Sequence, residues 1–294
     1  MYNPLLDTFI KTADVLSFSK AADELHLTPP AVIKQINTFE DHLGIVLFIR
    51  THRGLMLTAA GKELYHEAKK IIAYSNACLE RIRSVQNDNY IIRIAVSSKT
   101  STLFLRDLQK ILNKQESGLR FKLIPFDVTA NNFPDNFKNL GILYDIIPGI
   151  YDEENIKTRN CLVLPLFKAH LCCAISQTNP LSRKNSISFE DLYGKTIMLI
   201  QRGWNIYTDK LRDELNEKYK QINIIDFPVY NIETFNECQN NNLIMITVDA
   251  WNTVHPLLKL IPLECNYKIP YGLMYAKSAL KPVREFIKII KEKY

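Results

Sequence analysis

Two sets of side chains in this chain have the types and spacing to bind something, and neither makes a catalytic apparatus. The first lies within residues 17 to 61. Pro29, Ile33, Lys34 and Gln35 face outward from the start of one predicted helix, where they would meet base edges in a DNA groove, and Arg50 and Arg53 follow on a predicted wing, placed for phosphates or the minor groove. The second set is dispersed: Ser97, Ser98, Lys99 and Thr100 after one predicted strand, Thr129 after another, Gln201, Arg202 and Trp204 after a third, and Thr247 after an Asn-rich turn. In open α/β sheets small ligands sit beyond the carboxyl ends of strands, where helix N-termini present free amides. Lys99 and Arg202 would suit a small anion and Trp204 an apolar or cyclic part; the same hydroxyls would also serve as plain helix caps, and cations commonly stay on a solvated face.

Enzymatic motifs are missing from the sequence. It has no Gly-x-Gly-x-x-Gly, no phosphate-binding Gly-Lys-Ser/Thr loop, no His-Glu-x-x-His and no Gly-x-Ser-x-Gly. Its six cysteines, at 78, 161, 172, 173, 238 and 265, lack metal-ligand spacing and read as reduced packing residues of a cytosolic protein. No enzyme activity, cofactor or metal is expected. There is no signal peptide after Met1-Tyr2-Asn3-Pro4 and no apolar run long enough for a membrane span, which points to a cytoplasmic location.

The first set needs two helices, a tight corner and a wing to hold it. Ser19 is placed to N-cap a helix in which the small Ala21 and Ala22 admit a close neighbour, and Leu25 to Leu27 leave room only for a corner. Thr28 caps a second helix with Pro29 at its first position, and Val32, Ile36, Phe39 and Leu43 make its inward stripe. Leu47 to Thr51 and Leu55 to Thr58 then alternate like short strands around His52-Arg53-Gly54. The competing reading is a helical corner in a larger fold, with the arginines on a solvated face. Net charge does not decide between them: the chain carries +6, but the first 90 residues hold ten basic and ten acidic side chains. The DNA reading rests on motif and placement.

In order and spacing, Ser17-Phe18 to Ala21-Ala22, Leu25 through Thr28-x-Pro30-Ala31, Leu47-Phe48-x-Arg50 and Leu57-Thr58-x-Ala60-Gly61 resemble the N-terminal domain of LysR-type transcriptional regulators. The resemblance implies that Thr28, Pro29, Pro30, Lys34 and Gln35 form the recognition surface, with Ser19 and Ile33 beside them and Arg50 and Arg53 on the wing. Pro29 and Ile33 depart from the polar residues usual there. Neither can donate to a base edge, so direct readout would be thin and shape readout larger.

Behind the wing, Thr58 caps a proline-free segment, Ala59 to Gln86, whose Leu64, Ala68, Ile71, Ser75, Cys78, Ile82 and Val85 recur at coiled-coil spacing, widened by Tyr65, Ile72 and Leu79. A lone stripe of this kind must be buried, on the C-terminal half or on a partner chain. Resemblance to the family favours the partner, and implies a homodimer or a homotetramer built as a dimer of dimers. Strand and helix signals then alternate to the end, with a first βαβ set (strands at 90–97, 119–125 and 141–147, a helix at 103–112) and a second (strands at 161–167, 170–176, 196–200, 223–229 and 243–248, helices at 188–193 and 206–218), closed by a strand at 271–276 and a helix from Lys281. Two parallel-sheet lobes around a cleft is the economical reading, and the half resembles the family's periplasmic-binding-protein-like effector domain.

The expected architecture is thus α/β: an all-α winged helix-turn-helix over 1–58, a linker helix over 59–87 and a two-lobed effector domain over 88–294, with lobe I at 88–160 and 266–294 and lobe II at 161–265. The expected function is sequence-specific regulation of transcription at a promoter or operator, modulated by a small-molecule effector, with hinge closure re-spacing the DNA-reading heads. The alternative is a dimeric solute-binding or catalytic module whose N-terminal helices do not read DNA.

Overall fold

The computed structural model describes residues 1–52, 54–86 (side chains to 83), 90–97, 99–100, 104–106, 108, 120–125, 137–251 and 255–293. They fall into two compact units, Met1–Gln86 and Asn87–Tyr294. No helix among the described residues is long and apolar enough to cross a membrane.

In the first unit, α1 (Leu5–Val15), α2 (Phe18–Leu25) and α3 (Pro29–Leu43) pack around Phe9, Ala21, Ala22, Val32, Ile36 and Phe39. Ala21 and Ala22 are fully buried, so the helices approach where a larger residue would separate them. Phe9 meets Phe39 and Phe48 at centroid distances of 6.1 and 5.6 Å, tilted and edge-on, arrangements worth about 0.5–1.5 kcal/mol each beyond burial. The N-cap of α2 is Ser17, whose hydroxyl accepts from the Lys20 amide; Ser19 lies inside the helix. The expected cap is therefore displaced by two residues, because Ser17 is the extended residue that enters the helix. The corner closes on His26 in the left-handed region (φ 55°), with the His26 and Leu27 amides returning to the carbonyls of Asp23 and Ala22. Thr28 caps α3, accepting from the Ala31 amide, with Pro29 at N1.

The wing is a hairpin of β1 (Phe48–Thr51) and β2 (Gly54–Leu57), and α4 runs over Ala59–Gln86. Glu40, in the last turn of α3, accepts from the amides of Leu47 and Phe48 and so fixes where the wing begins. Thr58 is shared: its hydroxyl donates to the Val46 carbonyl and accepts from the Gly61 amide at the start of α4. A Cβ on Gly61 would lie 2.3 Å from the Leu47 carbonyl oxygen, which explains the glycine in Leu-Thr-x-Ala-Gly as a close approach of helix and wing. Ile71, Tyr74 and Ile82 of α4 are 46%, 48% and 56% exposed.

The second unit is built on one mixed sheet. Its path is β4 (Arg120–Pro125), β3 (Ile91–Val96), β5 (Ile146–Ile150), β11 (Lys268–Ala276), β6 (Cys161–Ser176), β9 (Ile244–Val248), β7 (Thr196–Ile200) and β8 (Asn223–Phe227), with β10 (Leu258–Pro262) also paired to β6. Strands β3, β4 and β5 pair in parallel, as do β7, β8 and β9, while β6 and β11 run antiparallel to each other and join the two groups. The two strands expected at 161–167 and 170–176 are thus one 16-residue strand that belongs to both lobes. Its pairing with β11 slips between Tyr271–Phe167 and Gly272–Pro165, leaving Leu166 as the extra residue of a bulge. Leu166 packs against two apolar clusters of the unit, one around Leu171 and Ile197 and the other around Ile92 and Phe286. A buried Arg93–Asp145 pair, joined by the Tyr90 hydroxyl, ties β3 to the residue that precedes β5.

Two expected elements differ. The strand predicted at 141–147 begins only at Ile146, because Gly141 at φ 82° and the bridge from Leu140 to Tyr144 form a turn first. The helix predicted at 188–193 is a single 3-10 turn, Glu190–Leu192; Asp191 accepts from the Ser188 amide, but Gly194 at φ 69° ends the turn at once. Of the helix predicted at 103–112, the described residues Phe104–Arg106 and Leu108 are helical. Helices at Glu153–Thr158 and Ile232–Asn240 and strand β10 are additional to the sequence reading.

Candidate functional site

In the N-terminal unit, Thr28, Pro29, Pro30 and Lys34 are exposed on the first turns of α3 and Ile33 is half-buried among them. Gln35 is held from inside: its side-chain carbonyl accepts the Thr8 hydroxyl at 2.5 Å, so only the amide group remains to face a base. Ser19 is exposed in the first turn of α2. Arg50 is exposed on β1 with its guanidinium 5.2 Å from the Phe18 ring, which limits its sweep without neutralising its charge. Arg53 lies outside the described residues. The unit therefore presents a capped helix start and a wing arginine, with Pro29 and Ile33 as apolar contacts.

In the C-terminal unit, a cavity open to solvent lies where β3 and β5 end. Ser97, Lys99, Thr100 and Trp204 line it, as do Phe137, Asn155, Arg159, Asn205, Trp251 and Met274. The turn after β3 is self-braced: the Thr100 hydroxyl accepts from the Ser97 amide and the Ser97 hydroxyl from the Lys99 amide. Lys99 Nζ donates to the Tyr230 carbonyl at 2.9 Å, and burial alone pulls its pKa down to about 8. Arg159 sits at the C-terminal end of helix Glu153–Thr158 with its guanidinium 3.9 Å from the Phe137 ring; burial lowers its pKa to about 10. Two cations whose charge is penalised by desolvation, in one cavity, make a site that gains by receiving an anion.

Asp152, 2% exposed, ties the walls together. One carboxylate oxygen caps helix Glu153–Thr158 through the Asn155 amide, and the other accepts from the Asn155 carboxamide and the Ile206 amide at the start of helix Ile206–Lys218. Asn155 also donates to the Trp204 carbonyl. Trp204, Trp251 and Tyr230 stand edge-on to one another at centroid distances of 4.9 to 6.4 Å.

The expected set divides. Gln201 and Arg202 are exposed and off the cavity lining; Gly203 (φ 86°) turns the chain after β7, and Arg202 pairs with Asp213 on the neighbouring helix. Arg202 is thus not part of the lining, and the cation found there beside Lys99 is Arg159, from the same 88–160 stretch. Thr247 is 1% exposed, inside β9 and off the lining. Ser98 and Thr129 lie outside the described residues. Arg159, Asn155, Asn205 and Trp251 join the lining without having been anticipated; the one signal for them was the Asp152-x-x-Asn155 capping spacing, which marks a helix start ahead of the strand at Cys161.

Residues 4–62 match the family described as bacterial regulatory helix-turn-helix protein, lysR family. The chain is 30% identical over 187 residues to an uncharacterized HTH-type transcriptional regulator of Methanocaldococcus jannaschii, covering 63% of this chain and 60% of the relative. It is 36% identical over 116 residues to the RuBisCO operon transcriptional regulator of Allochromatium vinosum, covering 38% and 36%. These alignments span less than two thirds of either relative's length. The fold is similar to that of CbnR, a LysR family transcriptional regulator (TM-score 0.71, 15% identity, 99% of each chain), and to full-length CbnR complexed with its target DNA (TM-score 0.69, 16% identity, all of both chains). These relatives are regulators rather than enzymes.

Proposed function

We propose, from the match of residues 4–62 to the lysR-family regulatory helix-turn-helix domain, that the chain is a LysR-type regulator that binds promoter DNA through α3 and the wing and is modulated by a small organic anion in the C-terminal cavity. The observation that carries the DNA half is the capped start of α3, with Thr28, Pro30 and Lys34 exposed on a unit matching a regulatory helix-turn-helix family. Lys34 and the Gln35 amide are the donors left for base edges, Pro29 and Ile33 offer at most a thymine methyl, and Arg50 meets backbone. Much of the specificity then comes from DNA shape. A cytoplasmic location follows from this role.

The Arg50→Ala protein is expected to lose affinity on all DNA sequences alike and to show a salt dependence shallower by about one counterion unit. Mobility-shift titrations at several salt concentrations on the DNA beside its own reading frame measure both. An unchanged slope would take Arg50 off the phosphate backbone, and no shift by the parent protein on any fragment would refute DNA binding.

The exposed Ile71, Tyr74 and Ile82 stripe on α4 supports assembly as a homodimer, or a dimer of dimers. Ile71→Asp combined with Ile82→Asp is expected to bring the assembly to monomers, because two charges would enter a dry interface. Sedimentation velocity decides it, and a double variant that sediments like the parent means that the stripe packs elsewhere.

Two cations share the cavity with Trp204 and Trp251, which supports an effector with an anionic end and a planar or apolar end. The hinge lies in the two strands common to both lobes, and an effector shifts the closed population only by its preference for that state.

A further inference from the structure

The cavity contains a group that does more than balance charge. A lysine serving only as a cation is usually left in water or set against a carboxylate. Lys99 has neither arrangement: it is partly buried, its amine donates to a neutral carbonyl, and no carboxylate of the described residues lies within ion-pair distance. Around the same space stand the Ser97 hydroxyl, the Arg159 guanidinium and the indole of Trp251. Trp251 is 4% exposed and its Nε1–H has no hydrogen-bond partner among the described residues. The lining therefore combines a nucleophilic amine and a planar cation suited to a carboxylate.

We propose that the effector is a 2-oxo acid, held as a reversible imine on Lys99 Nζ with its carboxylate on Arg159. The proposal rests on the reading of this cavity as the effector site. The neutral amine's lone pair adds to the carbonyl carbon, and a proton passes from nitrogen to oxygen to give a carbinolamine. The carbon–oxygen bond then breaks as that oxygen takes up, through solvent, the proton that the nitrogen gives up and leaves as water, and the C=N bond forms. Nothing is oxidised or reduced. The Ser97 hydroxyl, on the lining, is the donor available to the carbonyl oxygen as it gains charge. At pH 7 an amine with a pKa of about 8 is ~10% neutral, against ~0.03% for an ordinary lysine, so the site is selective among the chain's lysines.

The chain has only two tryptophans, and both line this cavity, so intrinsic fluorescence reports its occupancy. Full-length protein is titrated with glyoxylate, pyruvate and 2-oxoglutarate, and in parallel with glycolate, lactate and 2-hydroxyglutarate. Each mixture is then treated with cyanoborohydride and mapped by peptide mass spectrometry. The expected result is a fluorescence change with at least one acid pair, and a reduced adduct at Lys99 at least tenfold above that at any other lysine, formed with the oxo acid only. The Lys99→Arg protein should keep the response to the hydroxy acid and lose the adduct. Fluorescence changes without an adduct concentrated at Lys99 would overturn the imine and leave the anion site standing. No change with any of the six acids would overturn both.

Discussion

Asp152→Ala is expected to lower the stability of the C-terminal unit by about 2–4 kcal/mol, a fall of about 5–10 °C in melting temperature for a domain of this size. The carboxylate is buried and accepts from two backbone amides and a carboxamide. Alanine removes a helix cap worth about 1 kcal/mol, orphans the Ile206 amide and takes a negative charge from the neighbourhood of Arg159. Asp152→Asn keeps one acceptor oxygen and should lose about half as much. Thermal unfolding followed by tryptophan fluorescence reads the wall directly, since Trp204 and Asn155 are tied to it. A loss below about 0.5 kcal/mol would mean that water replaces the carboxylate without penalty.

Gly61→Ala is expected to destabilise the N-terminal unit by about 1–3 kcal/mol, against the ordinary rule that alanine favours a helix over glycine by up to about 1 kcal/mol. The new Cβ would fall 2.3 Å from the Leu47 carbonyl oxygen and 3.0 Å from Leu57 Cδ2. That carbonyl is backbone and already accepts the Thr58 amide at 2.9 Å, so it cannot move without loosening the cap of α4. DNA affinity should fall with stability, because the wing is anchored at the same point. Urea unfolding of the variant checks the first effect and a mobility shift the second; a variant as stable as the parent would show that wing and helix can part.

The elements easiest to read from sequence were those with local determinants. Thr28-Pro29 and Thr58 are caps whose partners lie within three residues, so the starts of α3 and α4 were legible, and so was the helix Ile206–Lys218. Ser17 and Ser19 are both plausible caps from composition; only backbone conformation separates them. The cavity was partly legible because strand ends can be located, which is why Ser97, Lys99, Thr100 and Trp204 were named. Which way the chain turns after a strand is a matter of one dihedral pair, and at Gly203 it carries Arg202 toward Asp213. Arg159 belongs to no strand end; it reaches the cavity because a six-residue helix stops just before the chain crosses between lobes.

The bulge at Leu166 sets a rule of parity on the whole unit. Side chains of a strand alternate between faces, so β6 can serve two cores only if its phase is right in both, and the extra residue at 166 is where that phase is adjusted. Deleting one residue there would turn one lobe's share of the strand inside out and leave the other intact, whereas deletions or insertions in pairs would preserve both faces. The length of this ribbon can therefore change only by even steps if both faces are to keep their packing.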